Sequence, residues 1–194
     1  MLSTSIQTVT EAEEHRAIAA LTAAFITDPL NRWMLPGTAQ YLEHFPDGVR
    51  MMGAPAFRSQ TAFGTDDLAG AALWMPPGVH VDEEAMGDYV ERTLPPEKMA
   101  GFVKTFEEAA TYHPEEPHWY LAVIGVDPVH QNRGYGARLL RHVLDRCDTD
   151  GVPAYLESSN ERNHSFYQRH GFELLGTIQV GDTPPLWPML RRPR

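Results

Sequence analysis

The stretch from Trp119 to Cys147 constrains the fold most, because an apolar run leads through a glycine-containing loop directly into an amphipathic segment. The run from Trp119 to Val126 is nearly continuously apolar, which predicts a buried strand. Beyond the loop, apolar residues recur at the spacing of one helix face, at Ala137, Leu140, Val143, Leu144 and Cys147. The sequence therefore predicts a strand, a tight loop and the beginning of a helix in immediate succession.

The loop from Gln131 to Gly136 has the composition of an anion site at a helix N-terminus. The first turn of a helix leaves backbone N–H groups unpaired, and the helix dipole is positive there. Gly134 and Gly136 lack a Cβ, so a phosphate can approach the backbone, and Arg133 adds positive charge. The loop has neither the third glycine of a dinucleotide fingerprint nor the Gly-Lys-Ser/Thr of a P-loop. A purely structural turn is the alternative interpretation.

The chain before this unit predicts a strand at 6–9, a helix from Thr10 that ends at Asp28-Pro29, and a helix over 39–59 that is broken near Phe45-Pro46. A hairpin follows, with its turn at Asp66-Asp67 and its second strand at 69–75. After the unit we expect a buried strand at 152–157, a helix that ends at Gly171, and two closing strands at 172–180 and 185–191.

The segment 80–117 predicts a helical insertion between two strands. Proline-containing stretches flank it, and its second helix carries an apolar stripe, at Met99, Phe102, Val103, Phe106 and Ala110. Two such short helices have little core of their own. Residues 1–194 are therefore expected to form one domain.

Charge and composition exclude several classes of function. The formal net charge of -10 argues against a nucleic-acid partner and suits either a cationic substrate or simple solubility. The single cysteine, Cys147, cannot form an internal disulfide, and its place on the apolar helix face predicts packing rather than catalysis. We expect no metal site, because no HExxH-type spacing occurs, and no membrane span or signal peptide. These features favour a cytoplasmic location.

Two motifs in order resemble those of the GNAT acetyltransferase superfamily. The first is Gln131-x-x-Gly134-x-Gly136, and the second is Asn160 followed by Tyr167 and by Gly171-Phe172. The resemblance implies an α/β (α+β) fold with a mixed, mostly antiparallel sheet of six to seven strands, flanked by helices. It also implies that strands 119–126 and 152–157 splay apart, and that acetyl-CoA, the co-substrate, lies in the gap.

The same resemblance implies a set of residues that bind acetyl-CoA. The strand edge Ile124-Gly125-Val126 would pair with the pantetheine arm, although these residues could also serve only as core strand. The pyrophosphate would lie on the loop formed by Gln131, Asn132, Arg133, Gly134, Tyr135, Gly136 and Ala137. Three further side chains would line the groove, at Asn160, Asn163 and Tyr167, and Asn160 could instead cap a helix.

Acetyl transfer to an amine requires a deprotonated amine and a proton for the leaving thiolate. Tyr167 matches the tyrosine of the family's second motif and is the candidate general acid. The alternative is that it packs beside Phe166 and only hydrogen-bonds the sulfur. The expected strand carboxylate is absent, which leaves His118, Glu157 or a chain of waters as candidate base. His118 could also be only a polar residue at the beginning of a strand, and Glu157 a buried carboxylate paired with backbone or arginine.

The resemblance implies an enzyme that acetylates a primary amine of a small molecule or peptide by direct attack in a ternary complex. We expect the acceptor to be bound by the N-terminal helices and the insertion, and the protein to be a monomer or homodimer. A non-catalytic acyl-CoA-binding or regulatory module on the same fold is the alternative, because a fold alone does not determine function. A nucleotide-binding protein is a more distant possibility.

Overall fold

Seven strands form one sheet in a computed structural model that describes residues 5–194. Residues 1–4, the beginning of the segment considered as a signal peptide, lie outside the described residues. In chain order the strands are β1 (Ile6–Thr8), β2 (Ala62–Thr65), β3 (Gly70–Met75), β4 (Trp119–Val126), β5 (Ala154–Ser158), β6 (Glu173–Leu174) and β7 (Trp187–Arg191). Their order in the sheet is β1-β2-β3-β4-β5-β7-β6.

Helices cover both faces of this sheet. They are α1 (Glu14–Ala24), α2 (Pro29–Met34), α3 (Thr38–Arg58), α4 (Glu83–Thr93), α5 (Pro96–Ala110), α6 (Tyr135–Asp150) and α7 (His164–Arg169). Alternate residues of β3 point to opposite faces, so Leu73 joins the core beneath α1 to α5 while Trp74 joins the core beneath α6 and α7. The predicted helical insertion is present as α4 and α5, between β3 and β4.

The sheet divides between β4 and β5, its only parallel neighbours among the described strands. These strands pair at two positions only, Trp119 with Ala154 and Tyr120 with Tyr155. The remainder of β4 stays paired with β3 on one side and has no strand beside it on the other. The register between β3 and β4 also shifts, which leaves Ala122 without an opposite residue. The predicted fold class, a mostly antiparallel sheet flanked by helices, is confirmed.

Three predictions about individual elements were wrong. Helix α3 continues through Pro46 without a break, because Tyr41, Phe45 and Val49 bury one face of it on both sides of the proline. Strand β4 is only half-buried from Ala122 onward, because the gap beside it replaces a neighbouring strand. The first closing strand is limited to β6, and the chain then passes so close to Tyr112 that a Cβ on Gly176 would lie 2.5 Å from its hydroxyl oxygen.

The apolar stripe of α5 is also rotated relative to the prediction. Phe102, Thr105 and Ala109 are buried, whereas Val103 and Phe106 are 43% and 37% exposed. Phe106 stacks on Phe102 with ring centroids 4.4 Å apart and lines a cavity beneath the helix. Helix α5 therefore borders an open space rather than a continuous core.

Candidate active site

The loop after β4 folds back on the strand and presents a helix N-terminus. The Gln131 side chain donates a hydrogen bond to the Val126 carbonyl across 3.1 Å. Asn132 and Gly134 both have left-handed backbones, with φ of 61° and 83°, and α6 begins immediately afterwards. Arg133 is exposed between them. This arrangement directs unpaired N–H groups and a positive dipole outward, as an anion site requires.

The two glycines of this loop have different roles. Gly134 needs glycine for its conformation, because a φ of 83° strains any other L-residue, although a Cβ there would meet no atom within 4 Å. A Cβ on Gly136 would lie in ordinary contact, 3.5 Å from the Phe166 ring. Tyr135 stacks on His130 with centroids 6.1 Å apart, and Ala137 completes the first turn of α6.

The free edge of β4 presents the backbone of two of the three residues predicted to bind pantetheine. The N–H of Asp127 donates to Ala69 on the β3 side, at 2.8 Å. Backbone groups alternate sides along a strand, so Ile124 and Val126 face the gap while Gly125 faces β3. Gly125 also lets α1 cross closely, since a Cβ there would lie 2.7 Å from the Cβ of Ala24.

A cavity of about 180 Å³ lies where the gap meets α1 to α5. Most of its wall is apolar, including Phe25, Met34, Phe45, Val49, Met51, Met52, Met86, Phe102, Phe106 and Ile124. Its polar side chains come mainly from the strand ends and α7, and they include Tyr120, Glu157, Ser158, Ser159, Asn163 and Tyr167. Among the described residues that line it, Glu157 is the single Asp, Glu, Lys or Arg.

Tyr167 projects from α7 into this cavity and is 6% exposed. Burial raises the pKa of Tyr167 well above its ordinary value, and the charge of Asp28 raises it further. The phenol is therefore protonated at neutral pH and can donate a hydrogen bond. Asn163 lines the same cavity, whereas the Asn160 side chain caps the short helical turn before α7 by accepting from the Arg162 amide at 3.1 Å.

The candidate bases lie in different places. Glu157 lines the cavity and is 12% exposed, and its Oε1 lies 2.9 Å from Nε2 of His113. Its ion-pair partner is therefore a histidine rather than an arginine, and the phenols of Tyr120 and Tyr155 also interact with it. His118 is not among the residues that line the cavity, and its Nδ1 lies 2.9 Å from the Glu116 carbonyl. The structure thus brings Glu157 and Tyr167 to one cavity and leaves His118 outside it.

Sequence reasoning missed His113 and the pair formed by Asp28 and Ser159. The Asp28 carboxylate is buried, accepts from the Asn31 amide at 3.0 Å and accepts from the Ser159 hydroxyl at 2.5 Å. Burial raises the pKa of Asp28 above its ordinary value. The only sequence signal was the Asp28-Pro29 pair, which indicated the end of a helix. It gave no indication that Asp28 would bond Ser159, a residue distant in the sequence.

Residues 5–194 also lack two further features. No three His, Cys, Asp or Glu side chains group closely enough to hold a metal ion. No helix in that range combines the length and apolar composition of a membrane span.

Comparison with known proteins agrees with this geometry. The model of the acetyltransferase (GNAT) family matches residues 66–172, more than half of the chain. An uncharacterised N-acetyltransferase of Schizosaccharomyces pombe is 27% identical, with 94% of this chain and 81% of the relative covered.

Two solved structures share the fold along the whole chain. The crystal structure of histone acetyltransferase HPA2 and related acetyltransferase from Corynebacterium glutamicum superposes with a TM-score of 0.68 at 25% identity, covering 100% of this chain and 98% of that one. Arylalkylamine N-acetyltransferase 2 from Aedes aegypti gives a TM-score of 0.68 at 13% identity, covering 99% and 100%. The family match, the curated relative and the shared fold lead to one conclusion: the chain belongs to the GNAT family and is an N-acetyltransferase.

Proposed function

We propose that this enzyme transfers the acetyl group of acetyl-CoA to the primary amine of a compact, largely apolar small molecule. The observation that carries the proposal is the cavity beside the β4–β5 gap, whose wall is mostly apolar and contains a single acidic or basic side chain, Glu157, among the described residues. Its volume of about 180 Å³ is small beside the roughly 300–1,000 Å³ of pockets for drug-sized ligands. A compact acceptor fits such a space.

Two features of the structure suit acetyl-CoA as the acetyl donor, namely the gap between β4 and β5 and the loop that follows β4. The left-handed Gly134 and the first turn of α6 suit a pyrophosphate, and exposed Arg133 adds a cation beside it. The backbone of Ile124 and Val126 faces the gap, where an amide-bearing chain can pair with it as an added strand would. The bound co-substrate would supply an activated acetyl thioester at the cavity.

The acceptor class follows from the charge of the cavity wall. A primary ammonium pairs favourably with the Glu157 carboxylate, since a charge-assisted hydrogen bond is among the stronger ones. A second ammonium group would lie against the apolar wall without an anionic partner. Burial of an unpaired charge costs free energy. A monoamine with an aryl or alkyl body therefore suits the wall better than a polyamine does. The mosquito enzyme of the same fold is named for arylalkylamines, in line with this choice.

Three of the polar side chains then have a role in direct transfer. Glu157 removes the proton from the ammonium, and the neutral amine attacks the thioester carbonyl in a ternary complex. Tyr167, held protonated by burial, donates to the departing sulfur. Asn163 also lines the cavity and offers a polar group to the amide that forms, whereas Ser159 lines it with its hydroxyl bonded to Asp28.

Release of free thiol from acetyl-CoA tests the proposal across a panel of amines. The panel contains phenethylamine, tryptamine, hexylamine, agmatine, spermidine, several amino acids and a peptide with a free N-terminus. We expect the highest kcat/KM with the apolar monoamines, and a large loss with them in Glu157→Gln. Higher kcat/KM with spermidine or the peptide would overturn the acceptor class. Thiol release from no member of the panel would count against the acceptor range as a whole.

Other expectations stay predictions. These are a single domain over residues 1–194, a monomer or homodimer in solution, a cytoplasmic location and the absence of a nucleic-acid partner. Sedimentation velocity of the purified protein tests the oligomeric state directly.

A further inference from the structure

His113 connects the charged end of the cavity to the protein surface. It lies in the turn after α5, and its Nε2 is 2.9 Å from Oε1 of Glu157 on β5. The Glu157 side chain is 12% exposed, whereas the His113 side chain is 36% exposed. One member of the pair thus lines the cavity, and the other reaches solvent.

Aromatic side chains hold the His113 ring in this position. Its centroid lies 4.4 Å from Tyr155, 5.1 Å from Tyr120 and 5.7 Å from His118. Burial and then the charge of Glu157 raise the pKa of both Tyr120 and Tyr155, so these phenols are neutral at working pH. Glu157 is therefore the carboxyl group that faces His113, at 2.9 Å.

The other titratable groups nearby do not replace this contact. Tyr112, next to His113 in the chain, acts electrostatically on Tyr155. His118 is held through Nδ1 at the Glu116 carbonyl, and the Glu116 carboxylate forms an ion pair with Arg192. His113 is thus the histidine that contacts the carboxylate of the cavity.

Acetylation of an ammonium releases one proton for each turnover. The ammonium loses a first proton to become a nucleophile, and the nitrogen loses a second when the amide forms. The second proton is balanced by the one that the leaving thiolate takes up as the C–S bond breaks. The first has no acceptor among the products, so it must leave the apolar cavity.

We propose that His113 accepts the proton that Glu157 removes from the acceptor ammonium and passes it to solvent, an inference that rests on the proposed amine acetylation. Neutral imidazole takes the proton from the Glu157 carboxyl, and the imidazolium then gives one proton to water. The pair returns to its starting charge state, with anionic Glu157 and neutral His113. His113 acts through Glu157 and does not touch the acceptor, so it is a proton-transfer and positioning residue.

Two substitutions separate proton transfer from structure. His113→Gln keeps a donor that can bond Glu157 but cannot carry a proton, and His113→Ala leaves space for added imidazole. We expect His113→Gln to lower kcat about 10²-fold, the low end of the range for a positioned proton-transfer group, with acetyl-CoA affinity unchanged. Added imidazole should restore most of the rate of His113→Ala and do nothing for Glu157→Gln. The pH–rate profiles of the wild type and His113→Gln should differ, because only the wild type has a group at this position that can exchange a proton.

The controls distinguish failure of this inference from failure of the proposed function. His80 is an exposed histidine in the same insertion, so His80→Gln serves as the control and should retain wild-type kcat and pH dependence. If the wild type acetylates monoamines and Glu157→Gln does not, but His113→Gln keeps the wild-type rate and profile, the proton route is wrong and the proposed function stands. Rescue by imidazole in His118→Ala instead of His113→Ala would assign the route to the neighbouring histidine. A wild type without activity on any amine would refute the proposed function itself.

Discussion

The Ser159 hydroxyl donates a hydrogen bond to Oδ2 of Asp28 across 2.5 Å, which joins the beginning of α2 to the chain just after β5. Asp28 also caps α2, because its Oδ1 accepts from the Asn31 amide at 3.0 Å. One buried carboxylate thereby links the N-terminal helices to the strand that carries Glu157. Its charge also contributes to the raised pKa of Tyr167.

The raised pKa of Asp28 predicts a pH-dependent contribution to stability. The folded protein protonates this carboxyl more readily than the unfolded chain does, because burial disfavours the charged form. The contribution is therefore complete below the ordinary aspartate pKa, about 3.9, and is lost as pH rises through the raised folded pKa. Stability of the wild type relative to Asp28→Asn should fall over that window. Urea unfolding from pH 4 upward measures it, and a difference independent of pH would contradict it. Asp82→Asn, an exposed aspartate that caps α4, controls for loss of a cap.

Gly134→Ala should weaken acetyl-CoA binding beyond any effect on the fold. An alanine with left-handed backbone costs about 1–2 kcal/mol, and relaxation would turn the amides of the loop away from the pyrophosphate. Loss of even one hydrogen bond to a charged group, worth about 1.5–3 kcal/mol, lowers affinity roughly 10-fold or more. Gly151→Ala is the matched control, because Gly151 has a φ of 67° at the other end of α6. Calorimetric titration should show weaker binding in the first variant only. Equal affinity in both would refute the assignment of the loop.

Tyr167→Phe should reduce kcat about 10²- to 10⁴-fold, the usual range for general acid–base catalysis. Acetyl-CoA affinity should change little, because the phenylalanine ring keeps the packing against Phe166 and Phe172. Because burial raises its pKa, Tyr167 stays protonated across neutral pH and should contribute no limb to the pH–rate profile there. Profiles of both proteins test this. A limb between pH 6 and 9 that disappears in the variant would show that Tyr167 titrates in this range.

Gly48→Ala should alter the acceptor site while leaving the acetyl-CoA site intact. An added Cβ would lie 2.6 Å from the hydroxyl oxygen of Tyr89, so this ring, which lines the cavity, must move. Overpacking of this kind costs about 1–3 kcal/mol. Gly87→Ala on α4 is the control, because a Cβ there meets nothing within 4 Å and should stabilise the helix by about 0.5–1 kcal/mol. The expected result is a changed KM for the amine with unchanged acetyl-CoA affinity in Gly48→Ala. Wild-type KM would show that Tyr89 does not shape the acceptor site.

Cys147, the single cysteine of the chain, should be unreactive in the folded protein. It is fully buried on the inward face of α6, and burial raises the pKa of the thiol to about 12. Since the thiolate is the reactive species, a disulfide reagent should label it only on unfolding. Labelling with and without 8 M urea should give one thiol in urea and almost none without it. Fast labelling of the native protein would contradict the burial.

The strand, loop and helix start from β4 to α6 could be predicted from sequence because their signals are local. Gly171, where the last helix was predicted to end, has the left-handed backbone of a helix cap, whereas the left-handed backbone of Gly134 was not predicted. The acceptor half depends on contacts between distant residues, which no local pattern encodes. His113 meets Glu157 only because the insertion folds over β5, and Asp28 meets Ser159 across almost the whole chain.

Local rules also failed where tertiary packing opposed them. Pro46 removes a hydrogen bond from α3, which predicted a break. The helix nonetheless continues, because the buried side chains on both sides of the proline hold it against its neighbours. The partial exposure of the second half of β4 could not be predicted from sequence either. An apolar strand beside a groove has the same composition as a strand inside a core.

The two walls of the cavity come from consecutive parts of the chain. The residues of the first wall lie between Phe25 and Phe106, before β4 in the chain. Those of the second wall lie on β4, on β5 and in the chain that follows, and the first of them is Tyr120. Under the proposed function, the body of the acceptor is therefore contacted mainly by the first wall, and its nitrogen by Glu157 in the second. An exchange of the stretch from Phe25 to Phe106 between homologues should change which amine body is preferred, while Glu157 and the groups proposed for the acetyl donor are inherited unchanged.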